Sequence, residues 1–194
     1  VPLGAVPEPL KNAVLATEDR RFFDHTGFDP VGIARALVTD LKRGELDQGA
    51  STLTQQLVKN YFLSPERTFR RKLLEAYLAV ILESRTGKSD ILELYLNDVY
   101  LGQRGSFGIH GVGQAGQIFF GKDLKNLTVA ESALIAALIP SPNATNPFLH
   151  PRAALERRNV VIGQMRDAGL LTEAVAARER EAPLGLVEGA VDQG

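Results

Sequence analysis

A mainly α domain is the fold class this sequence predicts, on three observations. Apolar residues recur at helical spacing along most of the chain, alternation over strand-like lengths is scarce, and cap and stop residues bracket the periodic segments. With 194 residues and 44% hydrophobic content, the chain is long enough to bury one substantial core. No internal repeat or low-complexity tract interrupts it.

The first helix is expected from about Pro7 to Arg21, with Leu10, Ala13, Val14 and Thr17 as its inward stripe and Glu18 on the shoulder. The segment FDHTGFDP breaks the pattern. Asp29 and Pro30 then supply an N-cap and a first-turn proline for a helix carrying Ile33, Leu37 and Leu41 and ending near Gly44. Ser51 is read as the cap of the next helix, on which Thr52, Gln55, Gln56 and Lys59 share one face and Leu53, Leu57 and Tyr61 another. Ser64 and Pro65 are expected to start a long helix to about Arg85, with Leu74, Leu78, Ile81 and Leu82 inward and Gly87 ending it.

Further helices are predicted over Asp90 to Asn97, over Thr128 to Ile139 with a Thr128/Glu131 capping box, and over Pro151 to Ala168 before Gly169. The segment GQRGSFGIHGVGQAGQIFFGK between them reads as a loop or irregular stretch. After Thr172, EAVAARERE makes a last helix and APLGLVEGAVDQG a linker.

Composition excludes several classes. Lys and Arg total 22 against 23 Asp and Glu, so no general attraction draws nucleic acid, and anion binding must be local. Without cysteine there is no disulfide, zinc-thiolate site or thiol nucleophile. His25, His110 and His150 share no metal-ligand spacing, so no metal site is assigned. GIHGVGQAG has neither the preceding strand nor the later βαβ unit of a dinucleotide fingerprint. The longest apolar run, Ala76 to Leu82, is far short of the roughly 20 residues that span a bilayer.

Two carboxylates carry the chemistry best. Glu18 lies beside an apolar stripe and just before Phe22 and Phe23, whose burial would raise its pKa and suit it to proton transfer. Glu75 follows Arg71 and Lys72 by one turn and would be held ionised. Arg70, Arg71 and Lys72, cations in the N-terminal half of a helix, oppose its dipole and repel one another, which a phosphate or diphosphate would relieve. The polar stripe of Thr52, Gln55, Gln56 and Lys59 suits sugar hydroxyls and one phosphate. Against each stands a plainer reading: helix carboxylates, a solvated basic face and an exposed amide face.

Five motifs in order resemble glycosyltransferase family 51, the transglycosylase domain of class A penicillin-binding proteins and their monofunctional relatives. They are ATEDRRFFDHTGFD at Ala16 to Asp29, GASTLTQQLVKN at Gly49 to Asn60, RKLLE at Arg71 to Glu75, ILELYLN at Ile91 to Asn97, and the glycine-rich segment ending FFGK at Lys122. The likeness continues through ALIPSPNATNPFLHPRAALERRNVV and spans most of Pro7 to Gly169. In the fifth motif the chain departs from its relatives, with His110 at an aromatic position and Gln114 and Gly116 within a small-residue run.

The resemblance implies a lysozyme-like helical fold with a large head lobe and a small membrane-facing jaw. The glycosyltransferase domain would span 1–172, its jaw about 23–68, and 173–194 would form a terminal helix and linker. Ile33, Leu37, Val38 and Leu41 would dip into lipid headgroups.

The implied reaction polymerises lipid II into β-1,4-linked glycan strands by inverting transfer from an undecaprenyl-pyrophosphate-linked donor. Glu18 and Glu75 would be catalytic, Glu18 as the general base on the acceptor 4-hydroxyl. Substrate-binding positions would be Asp19, Phe22, His25, Ser51, Thr52, Gln55, Gln56, Lys59, Arg71, Lys72, Asn97 and Arg104. No cofactor is required, and stimulation by a divalent cation is left open. The implied partners are lipid II, the growing strand and the membrane surface, with a transpeptidase domain in the full-length chain left open and no nucleic acid. The expected location is the outer, periplasmic face of the bacterial cytoplasmic membrane, through an anchor helix outside this chain. Two rivals are a lysozyme-like hydrolase with Glu18 as general acid and a catalytically silent peptidoglycan- or lipid-binding scaffold.

Overall fold

The computed structural model describes residues 1–34, 51–63 and 68–187. Its elements run α1 (Glu8–Glu18), α2 (Leu53–Phe62), α3 (Phe69–Arg85), α4 (Lys88–Asp98), β1 (Tyr100–Arg104), β2 (Phe107–His110), α5 (Gly111–Phe120), α6 (Val129–Leu138), α7 (Pro151–Asp167) and α8 (Glu173–Glu181). The domain is mainly α, as expected, and residues 30–34 are helical up to the point where the description stops. Leu37, Val38, Leu41, Gly44, Ser64 and Pro65 lie outside the described residues.

The chain divides into two compact units, Val1–Thr17 with Leu96–Gly194, and Glu18–Tyr95. In the first, α6 packs against α7, α7 against α8, and α5 against the hairpin. Every residue of α6 from Ala130 to Leu138 is buried, which its near-uniform apolar sequence requires of a helix. Thr128 caps it in the predicted box with Glu131.

The glycine-rich stretch is regular, contrary to the sequence reading. Tyr100–Arg104 and Phe107–His110 pair antiparallel, and α5 follows directly. Short strands with a bulge carry too little alternation to be legible. Gly111 sits at φ 72° with its Cα against the Asn97 carbonyl, where a Cβ would lie 2.4 Å from that oxygen; only glycine fits there. The motif departures have local roles: Gln114 accepts the His110 backbone N–H at 2.7 Å, and the His110 ring lies 5.2 Å from that of Tyr100.

Residues read as linker are partly docked. Arg158, fully buried, donates to the carbonyls of Ala182 (2.7 Å), Pro183 (3.1 Å) and Arg180 (2.8 Å), closing the end of α8. The Val187 N–H donates to the Phe119 carbonyl at 2.9 Å.

The second unit packs α2 against α3, and its buried apolar residues include Phe22, Leu53, Leu57, Val58, Ala79, Ile91, Leu92 and Tyr95. Three expectations are corrected here. The first helix stops at Glu18, not Arg21. Thr52 caps α2 in place of Ser51, closing a capping box with Gln55. Thr68, not Ser64, caps α3.

The inward face of α3 carries Glu75 and Ala79, while Leu74 is 45% exposed and Leu78, Ile81 and Leu82 are half-buried. Backbone packing decides this. Gly27, at φ 79°, meets α3 so closely that a Cβ would lie 2.5 Å from the Ala79 carbonyl carbon, which selects the face with a small residue.

Candidate active site

The carboxylate centre begins where α1 ends. Asp19, one residue beyond the helix, turns inward and accepts the His25 Nε2 proton at 2.9 and 3.0 Å. It also accepts the Leu53 N–H at 2.9 Å, one of the orphan donors at the start of α2. Thr52 accepts the Gln55 N–H and donates its own proton to the Gly27 carbonyl at 2.8 Å. Gln55 Oε1 accepts the Thr52 N–H at 2.9 Å. Asp19, Thr52 and Gln55 therefore bind the first motif to the start of α2, and all three are buried.

Glu18 is half-buried and accepts from Gln56 Nε2 at 3.0 Å, while Gln56 Oε1 accepts from the Tyr95 hydroxyl at 2.9 Å. Of the two phenylalanines expected to be buried near Glu18, Phe22 is buried and Phe23 is 60% exposed, so the expectation fails for Phe23. The Phe22 ring lies under the Lys88 ammonium, 4.3 Å from its centroid. Burial, and then the charges of Glu18 and Asp19, push the Tyr95 phenol well above its ordinary range.

Glu75 is 1% exposed. It accepts from Arg71 at 3.1 Å and from Lys72 at 2.5 Å, and Lys72 also donates to Ser51 at 2.6 Å. Glu75 thus meets Arg71 and Lys72, the two cations expected to hold it ionised, so an internal carboxylate already answers part of the charge for which a bound anion was also expected. Arg70 and Arg71 line a recess of about 340 Å³ with Phe62, Leu63, Thr68 and Leu74. The Arg71 Nε–H is buried and has no partner among the described residues, and Lys59 is exposed.

One helix ties the carboxylates together. Ser51, just before α2, holds Lys72 and through it Glu75; Gln56, on the first turn, holds Glu18. Ser51 precedes the helix by two residues and Gln56 lies on its first turn, so both tethers sit at the same end of α2.

Asn97 and Arg104 belong to the other unit. Asn97 Nδ2 donates to the Val1 carbonyl at 2.7 Å; Arg104 donates to the Ile118 carbonyl at 3.2 Å and lies 4.9 Å from the Phe148 ring centroid.

The sequence reading missed Tyr95, Glu83 and Lys88. Glu83 pairs with Lys88 at 2.8 Å and lies 4.0 Å from His25 Nδ1. The available signal was the row Glu75, Ala79, Glu83 at i, i+4, i+8, a face with two carboxylates and one small residue.

The fold and site define a helical domain built to hold two carboxylates and a basic cluster through one short helix. The chain belongs to the transglycosylase family, whose model matches residues 1–166. It is 43% identical over 186 residues to penicillin-binding protein 1B of Haemophilus influenzae, covering 96% of this chain and 24% of that protein. It is 49% identical over 173 residues to penicillin-binding protein 1A of Escherichia coli, covering 89% and 20%. The crystal structure of penicillin-binding protein 1A from Haemophilus influenzae superposes with a TM-score of 0.55 at 26% identity, covering 94% of this chain and 17% of that one. The chain spans about a quarter or less of the length of these relatives.

Proposed function

We propose that this domain is a peptidoglycan glycosyltransferase that joins lipid II units into β-1,4-linked glycan by inverting transfer. Glu18 takes the proton of the acceptor 4-hydroxyl. The oxygen attacks the donor anomeric carbon from the face opposite the diphosphate, the new C–O bond forms as the old one breaks, and the undecaprenyl diphosphate departs with its electron pair. Arg71 and Lys72, fixed by Glu75, stabilise the charge that leaves, and the buried Arg71 Nε–H offers one donor to it. Asp19 and His25 hold the loop, with Phe22 packed beneath Lys88. Gln56 steadies the base, Ser51 steadies Lys72, and Thr52 and Gln55 build the helix start that both depend on.

The observation that carries this reading is the common tether of Glu18 and Glu75 to α2. The basic cluster beside Glu75 also ranks synthesis above hydrolysis, because breaking an uncharged glycosidic bond calls for no cations at the leaving group. A membrane-surface location is supported by the exposed apolar side chains Phe62, Phe69, Leu73, Leu74, Tyr77 and Val80; no helix among the described residues is long and apolar enough to cross a membrane. The anchor helix and a transpeptidase domain in the same full-length chain remain part of the proposal.

The test is incubation with lipid II in detergent or bilayers, with and without a divalent cation. Wild-type protein should yield polymer, and Glu18→Gln should lose about 10³-fold of that rate while keeping its helical circular dichroism. Shortened glycan from preformed strands, with no polymer from lipid II, would favour the hydrolase. Wild-type polymerisation by Glu18→Gln would remove Glu18 from the mechanism.

A further inference from the structure

An ionised carboxylate only accepts hydrogen bonds, so the Gln56 amide must turn its NH2 toward Glu18, as it does at 3.0 Å. That leaves the amide oxygen at the far end, where a donor is needed to hold the orientation. Tyr95 supplies it at 2.9 Å. Its ring is 2% exposed, so the hydroxyl has little freedom to seek water instead. Burial and the neighbouring Glu18 and Asp19 charges keep the phenol protonated, which preserves it as a donor. The charges that act on the Tyr95 phenol are Glu18 and Asp19, and Asp19 is backed in turn by His25, Lys88 and Glu83.

We propose that Tyr95 is a positioning residue for the transfer reaction: through Gln56 it orients the amide that holds Glu18 as a carboxylate ready to take the acceptor proton. The proposal rests on the general-base reading of Glu18. The same hydroxyl also serves the state after proton transfer. A protonated Glu18 becomes a donor, the amide turns over to present its oxygen, and the Tyr95 hydroxyl switches from donating to accepting. Phenylalanine fills the same volume and can do neither.

The test is the pH dependence of lipid II polymerisation for wild type, Tyr95→Phe, Gln56→Leu and the double variant, with Glu18→Gln as the control on the parent reading. Losing the amide's hydrogen bond raises the pKa of the base, so the acid limb moves to higher pH. Tyr95→Phe should shift that limb up by about half a pH unit and lower kcat about tenfold, with KM for lipid II within about twofold. In the Gln56→Leu background the same substitution should cost less than about twofold, because the residue acts through the amide.

If Glu18→Gln is inactive while Tyr95→Phe keeps the wild-type rate and acid limb, the positioning role is overturned and the base assignment stands. An equal loss from Tyr95→Phe with and without Gln56 also overturns it, assigning Tyr95 to packing. If Tyr95→Phe fails to fold by circular dichroism, Gln56→Leu alone decides, and an unmoved acid limb overturns the proposal. An active Glu18→Gln instead brings down the parent reading.

Discussion

Arg71 and Glu75 lie one helical turn apart on α3, and the guanidinium donates to a carboxylate that is 1% exposed. Breaking a buried pair from one side strands the remaining charge, which costs more than the pair itself contributes. Glu75→Gln keeps the shape and loses the charge. It should lower stability by about 2 kcal/mol and lower polymerisation about 100-fold, read by urea unfolding and by lipid II turnover in parallel. A full loss of activity at unchanged stability would place Glu75 in direct contact with substrate; unchanged activity would leave it a purely structural anchor.

Arg158 should matter to stability and not to chemistry. It is fully buried and donates to three carbonyls beyond α7 that have no helical partner. Arg158→Ala leaves those acceptors unsatisfied and opens a cavity, costing about 3 kcal/mol. Thermal unfolding should show a fall of about 6–12 °C, with specific activity of the folded fraction unchanged below the new midpoint. A shift within a degree or two would contradict the role assigned to this residue.

Tyr95 makes stability sensitive to alkali. Its phenol is raised in the folded state by burial and by Glu18 and Asp19, so the unfolded chain loses this proton first as pH climbs. The associated stability is fully present below about pH 10, the ordinary tyrosine value, and is lost as pH rises from there through the folded value. Between pH 9 and 11.5, wild-type protein should therefore lose urea resistance more steeply than Tyr95→Phe. Parallel curves for the two proteins would show that Tyr95 is not the group responsible.

How much of this was written in local sequence can be judged element by element. Thr128 with Glu131, Pro151, Gly169 and Thr172 mark ends that the structure keeps, because capping satisfies donors within four residues of the cap. The first helix, by contrast, ends three residues earlier than its apolar pattern suggests. Asp19 has partners in His25 and Leu53, the second 34 residues away, and no local rule reports them. The inward face of α3 was misjudged for a similar reason. Leucine is usually the buried residue, but the close approach of Gly27 selects Ala79, and buried carboxylates then become tolerable because Arg71, Lys72 and Lys88 reach them.

The sequence by itself determined the helical class, the ends of α6 and α7, the family likeness and the choice of Glu18 and Glu75 as the carboxylates proposed to act, since these depend on residue type and short spacing. Tertiary structure decided which side chains serve the site and which serve the frame. Thr52 and Gln55 have hydrogen-bonding groups like those of Gln56, yet theirs close a helix cap while the amide of Gln56 spans from Glu18 to Tyr95. That division follows from partners 38 and 39 residues distant, and a hydrogen bond exists only where folding brings its donor and acceptor within reach.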